Sequence, residues 1–159
     1  MPLPFMCNFR AAHFLLLRST IRCPDCQRAT RVQALALPPG HAALSEPDDG
    51  EPACWQTVSL PVVLSSIDYL DPDAAEFLAV HGAQLQPPAV GRHGWRNRCE
   101  HCRIAIDEAV LHAEPGAAFM PRTAAEATAL MLEQIGLPIC AAAADASLDP
   151  PWFHDFLRG

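Results

Sequence analysis

FLLLRSTIRCPDCQRATRVQALAL, residues 14–37, places two apolar runs on either side of Cys23-Pro24-Asp25-Cys26. Phe14–Arg22 reads as a strand that delivers the cysteine pair. Thr30–Leu37 alternates Arg31 and Gln33 with Val32, Ala34 and Ala36, as a half-buried strand does, and Pro38-Pro39-Gly40 stops it. Two residues between the thiols let a tight turn aim both sulfurs at one point. Upstream, Phe5, Met6, Phe9, Ala12, His13, Leu16 and Leu17 recur at helical spacing, so residues 5–13 stay open between helix and strand.

A second pair, Cys99-Glu100-His101-Cys102, follows after 72 intervening residues. Trp95–Cys99 reads as the strand entering it. Ile104–His112 reads as the strand leaving it, with Ile104, Ile106 and Val110 on one face. Two such turns supply the four soft ligands of a tetrahedral Zn²⁺, and Cys23, Cys26, Cys99 and Cys102 are the expected set for one structural ion. Closing a loop of this length costs about 4 kcal/mol plus a constant. Structural zinc in a small module contributes about 10–16 kcal/mol near neutral pH, enough to hold the two turns together.

Redox catalysis is the competing use of Cys-Pro-Asp-Cys. Such motifs open a helix that lowers the thiol pKa, whereas the segment here runs on as a strand. A zinc deaminase needs H-x-E followed later by P-C-x-x-C. His112-Ala113-Glu114 comes after both pairs, and neither pair follows a proline. Four cysteines also close the coordination sphere against water. His101 sits inside the second turn, but Cys99 and Cys102 have the better spacing; His93 flanks it as an exposed side chain. No phosphate loop, G-x-S-x-G or H-E-x-x-H is present, and Ser65-Ser66 has no motif around it.

The length of 159 residues predicts a single domain with a real core. Sixteen prolines and a 7% aromatic content suggest short elements joined by stiff loops. The net charge of -7 repels bulk nucleic acid and anionic membranes. All 11 basic side chains are arginines. Seven cysteines leave Cys7, Cys54 and Cys140 outside the pairs. An odd count in a chain this long points to a reducing cytoplasm, with those three as small core residues. No stretch approaches the roughly 18 apolar residues of a membrane span. Phe14–Leu17, with no basic start before it, makes a poor signal peptide.

Residues 38–54 read as an exposed acidic loop. Trp55–Tyr69 reads as one or two strands broken at Pro61, which suits a sheet edge. Asp71-Pro72-Asp73 opens a helix that runs to about His81 and stops at Gly82. Gln84–Val90 crosses back, and Glu114-Pro115-Gly116 is a turn. Thr123-Ala124-Ala125-Glu126 matches a capping box and opens a helix ending at Gly136-Leu137-Pro138. After an alanine run and Pro150-Pro151, Trp152–Leu157 reads as one helical turn.

The two C-x2-C turns, each between strands, resemble the zinc-ribbon family, in which two such hairpins share one metal. The likeness covers about residues 18–37 and 92–112, with 38–91 as an insertion and 122–159 as a C-terminal helical part, which makes this a split ribbon. Many ribbons carry glycine directly after the second cysteine of a turn; Gln27 and Arg103 stand there instead. Cys99–Pro121 is also loosely similar to bacterial split-ribbon proteins. The expected fold class is therefore α+β, a small antiparallel sheet built around the ribbon with two or three helices packed on it.

Eight arginines (Arg18, Arg22, Arg28, Arg31, Arg92, Arg96, Arg98 and Arg103) flank the cysteine pairs. Closing the site gathers them at one end of an acidic molecule. They either balance the charge of four thiolates on Zn²⁺ or contact phosphates or an acidic partner; for contact, Arg22, Arg28, Arg31, Arg96, Arg98 and Arg103 are the candidates. No catalytic residue is assigned. The expected function is a non-enzymatic, zinc-stabilised interaction module with a protein partner. A nucleic-acid-binding ribbon is the alternative, and an enzyme with a cleft formed by the insertion is the third reading.

Overall fold

A computed structural model describes residues 7–45, 50, 52–81, 84–89, 93–113, 117–148 and 150. The strands are β1 (Phe9–Ala11), β2 (Phe14–Arg22), β3 (Ala29–Leu37), β4 (His41–Leu44), β5 (Trp55–Val58) and β6 (Val62–Leu70), then β7 (Leu85–Gln86), β8 (Arg96–Asn97), β9 (Met131–Ile135) and β10 (Ile139–Leu148). Helix α1 (Pro72–His81) lies between β6 and β7, a π-helical turn spans Ala109–Ala113, and the single turn α2 covers Ala124–Ala127. Eight strands form one antiparallel sheet in the order β5-β4-β1-β10-β6-β3-β2-β9, and β7 pairs with β8 separately. Strand makes up 46% and helix 15%, so the fold is mostly β and the α+β expectation is overturned.

Connection length explains why the sheet curls into a half-barrel. Three residues, 136–138, join β9 to β10, a span of at most about 14 Å. In a flat sheet β9 and β10 would be four strand spacings apart, about 19 Å. The curl encloses Phe14, Leu16, Leu35, Leu64, Ile135 and Ile139 in one buried cluster, which α1 closes with Ala74 and Leu78. On the outer face Leu15, Leu17, Val32 and Ala34 pack under Ile106, Leu111, Phe119 and Leu130. Both faces of the central hairpin are therefore covered, and β3 is not half-buried: Gln33 is only 2% exposed.

Asn97 makes that burial tolerable. The Gln33 N–H donates to Asn97 Oδ1 at 2.7 Å, and Asn97 Nδ2 donates to the Gln33 carbonyl at 2.9 Å. The Leu85 N–H donates to Gln33 Oε1 at 3.2 Å. An amide side chain thus replaces a neighbouring strand as the partner of the Gln33 backbone.

Some local readings hold. The strand at Phe14–Arg22, the break at Pro61 and the helix at Pro72–His81 are present. Asp71 Oδ2 accepts the Ala74 N–H at 3.3 Å as a cap, while its Oδ1 accepts the Cys140 N–H at 2.8 Å. Residues 9–11 of the open N-terminal segment are strand. The edge strand is β5, before the Pro61 break, whereas β6, which follows it, lies inside the sheet. Gly82, the Glu114–Gly116 turn and Trp152–Leu157 lie outside the described residues.

Others need correction. His41–Leu44, read as exposed loop, is a strand between β1 and β5. Ile104–His112 is no strand: Ala105 makes one bridge to Arg98, and the chain then turns through Ala109–Ala113. The capping box donates its first bond, Glu126 N–H to Thr123 Oγ1 at 3.1 Å. The Glu126 carboxylate turns instead to the N–H and Nε of Arg122, and so short a helix has little stability of its own. Met131–Ile135 therefore joins the ladder on β2. The alanine run becomes β10, where Ala141 and Ala143 are buried among larger neighbours. Cys7 and Cys140, read as separate core thiols, form a disulfide with Cα atoms 5.8 Å apart that ties β1 to β10. Among the described residues no helix is long and apolar enough to cross a membrane.

Asn97→Ala strands the buried N–H and C=O of Gln33, so unfolding free energy should fall by about 2–5 kcal/mol. Urea denaturation checks it; a loss within 0.5 kcal/mol or so of zero, the range of a surface change, would show the clasp to be dispensable.

Candidate metal centre

Cys23 follows β2 and Cys99 follows β8, and each opens a turn built by the same bonds. In the first, Gln27 N–H donates to the Cys23 carbonyl (3.0 Å) and Cys23 N–H to the Arg28 carbonyl (2.8 Å). In the second, Arg103 N–H donates to Cys99 (3.1 Å) and Cys99 N–H to Ile104 (3.0 Å). The N–H groups of Asp25 and His101 point at the sulfurs of Cys23 and Cys99, both at 3.4 Å. Gln27 and Arg103 take φ of 65° and 67°. The left-handed position after each pair is therefore kept although neither residue is glycine.

The four sulfurs converge. Cys23 and Cys102 are 3.6 Å apart, Cys26 and Cys99 are 3.7 Å apart, and all four lie within 4.8 Å of one another. A tetrahedron with metal–sulfur distances of about 2.3 Å has edges of about 3.8 Å. The donor set therefore fits a soft divalent ion such as zinc. Cys23 and Cys99 are buried, Cys26 is half-buried and Cys102 is exposed. Without a cation the thiols compete for protons. The Cys102 backbone N–H, more than any other group, pulls Cys99 down to about 6, while Cys102 is pushed up to about 12: the Ile104 N–H favours its thiolate, but burial and the three neighbouring thiols outweigh it. Like charges this close cannot all ionise unless a cation joins them.

Contacts between the turns fix their docking. Glu100 accepts the Arg31 N–H at 2.9 Å and pairs with the Arg31 guanidinium, whose hydrogen bond holds the Glu100 carboxyl below its ordinary range. Glu100 N–H donates to Thr30 Oγ1 at 3.0 Å, and His101 Nε2 lies 3.1 Å from the Ala29 carbonyl, so His101 serves the docking and not the metal. Thr30, Glu100 and Asn97 position the second pair, yet no motif marks any of them. Only their final contact with β3 reveals the role.

The arginines mostly serve the fold. Arg22 Nη1 donates to the Gln27 carbonyl (3.1 Å) and Arg98 Nη1 to the Arg103 carbonyl (3.2 Å), bracing the two left-handed residues in the same way. Arg18 pairs with Glu133 and Arg31 with Glu100. Arg28 and Arg103 point outward as exposed side chains, Arg96 lines a separate cleft, and Arg92 lies outside the described residues. His93 is exposed.

No protein-family model, curated protein or solved structure matches this chain. The likeness to a zinc ribbon therefore rests on the paired turns and their four cysteines.

Arg103→Gly removes the left-handed penalty without deleting a side-chain contact. It should raise stability by about 0.5–1 kcal/mol, the penalty of about 1–2 less the entropy glycine adds to the unfolded chain. Chemical denaturation of the metal-loaded protein would contradict this if the variant were less stable.

Proposed function

We propose that the four cysteines hold one structural Zn²⁺, and that the chain is a non-enzymatic, zinc-stabilised interaction module that binds a protein partner. The observation that carries the metal reading is the convergence of four sulfurs within 4.8 Å. A sphere filled by four thiolates has no open position for water or substrate, which argues for a structural role. On this reading the ion staples the tip of the β2–β3 hairpin to the segment after β8.

A protein partner is supported by what surrounds the sulfurs. Arg22, Arg31 and Arg98 are occupied within the chain. Arg28 and Arg103 are exposed at the two turns, and Ile104, next to Arg103 in the chain, is 43% accessible. An exposed apolar side chain with only two exposed arginines at the turns suits a mixed protein surface better than a phosphate backbone, which calls for several free cations.

Elemental analysis of the purified protein should find about one zinc per chain. Cys99→Ser should forfeit much of the roughly 10–16 kcal/mol that structural zinc contributes. Cys54→Ser, at an exposed cysteine, should stay within about 0.5 kcal/mol of the parent. Equal losses in the two variants, or a fully folded metal-free protein, would remove the structural-zinc reading. Binding to DNA and RNA should be absent even at low salt; an affinity that falls linearly in log–log salt titration would favour the nucleic-acid alternative over a protein partner.

A further inference from the structure

A cleft of about 510 Å³ opens between β6, β10 and the segment 107–113, and none of the four cysteines lines it. That volume lies within the range of small-molecule sites, about 300–1,000 Å³. Its walls bring together Ser65, Ser66, Arg96, Glu108, His112 and Asp145. Two backbone departures meet there. Ser66, inside a strand, has φ of 51°, and Ala109–Ala113 is a π-helical turn. Such irregularities persist where surrounding structure enforces them, often at functional sites.

His112 is held in place. Its Nε2 lies 3.1 Å from Glu108 Oε2, and its ring stacks on Phe119 with centroids 5.2 Å apart. The Glu108 Oε2 atom is buried and accepts no aligned hydrogen bond, since the His112 contact is an ion-pair approach only. Asp107 is used locally, its Oδ1 accepting the Ala109 N–H at 3.0 Å. Arg96 and Asp145 share the cleft, yet among the described residues neither forms an ion pair.

These charges select a ligand. A simple anion would meet Asp107, Glu108 and Asp145; a simple cation would leave the Arg96 guanidinium uncompensated. A metal ion does not fit either. Among the described residues the four cysteines are the one group of three or more ligating side chains gathered within 4.8 Å, so these acids do not converge on one point. A ligand carrying both charges can satisfy both signs, its carboxylate on the Arg96 fork and its ammonium on Asp145 and Glu108. We propose that this cleft is a second, metal-independent site that binds a small zwitterion bearing an ammonium and a carboxylate, the chemistry of a free α-amino acid. Ser65 and Ser66 supply hydroxyls to either group.

Isothermal titration of the purified full chain with glycine, L-alanine, L-glutamate and L-arginine tests it. At least one should bind saturably at one per chain. Its N-acetyl and amide derivatives, each lacking one charge, should bind at least tenfold more weakly. Arg96→Met and Asp145→Asn should each weaken binding at least tenfold, and Asp145 is exposed, so its variant keeps the fold. The proposal is overturned if no free amino acid binds at millimolar concentration, if either blocked derivative binds as tightly as its parent, or if Asp145→Asn binds like the parent chain.

Discussion

The pair of hydrogen bonds between Asn97 and the backbone of Gln33 decides where the second cysteine pair lands. Two residues after Asn97 comes Cys99, and two residues before Thr30 ends the turn opened by Cys23. Once the amide of Asn97 is seated on β3, the Glu100 N–H falls within 3.0 Å of Thr30 and the Glu100 carboxylate meets Arg31. The sulfurs then have little further freedom. A metal ion entering such a site does not have to gather two wandering loops, because much of the ordering cost is met by bonds that do not involve it. Docking and coordination reinforce each other, since each restricts the same short segment.

The same clasp accounts for the depth of the sheet. Gln33 sits in a strand whose neighbours Val32, Leu35 and Leu37 are wholly buried. A polar backbone at that depth needs partners or costs free energy. Curling alone does not supply them, because β6 pairs with β3 only over Leu35–Leu37. Beyond that point the Asn97 amide takes over the edge that β6 leaves, and β7 bonds the Gln33 side chain. The half-barrel is therefore completed by side chains where its ladder runs out.

The four-cysteine cluster was legible because its information is local. Spacing within Cys23–Cys26 and within Cys99–Cys102 survives any arrangement of the rest, and Asp71-Pro72 likewise specifies a helix start by chemistry confined to one turn. The sheet was not legible in the same way. Alanines 141–144 have weak strand preference, yet they lie in β10, which pairs along β6. Thr123–Glu126 carries a correct cap signal, but Leu132 and Ile135 gain more from the β2 ladder and the core than from continuing a helix. Gln27 and Arg103 are the reverse case. Glycine was absent, yet the turn geometry held, because the hydrogen bonds at Cys23 and Cys99 and the braces from Arg22 and Arg98 outweigh about 1–2 kcal/mol of backbone strain at each.

Four consecutive residues then show how closely the parts are joined. Arg96 lines the cleft, Asn97 clasps β3, Arg98 braces the second turn, and Cys99 joins the sulfur cluster. Side chains alternate along a strand, so β8 sends Arg96 and Asn97 to opposite sides. Any displacement of the sulfurs that moves Cys99 along the chain axis must move Arg96 as well, because only two residues separate them. On the two proposals taken together, linkage makes such an effect reciprocal: whatever free energy metal binding would contribute to fixing Arg96, occupation of the cleft would return to the cysteine site. The coupling is limited by the clasp itself, for as long as Asn97 remains on Gln33 the strand is pinned between the two sites.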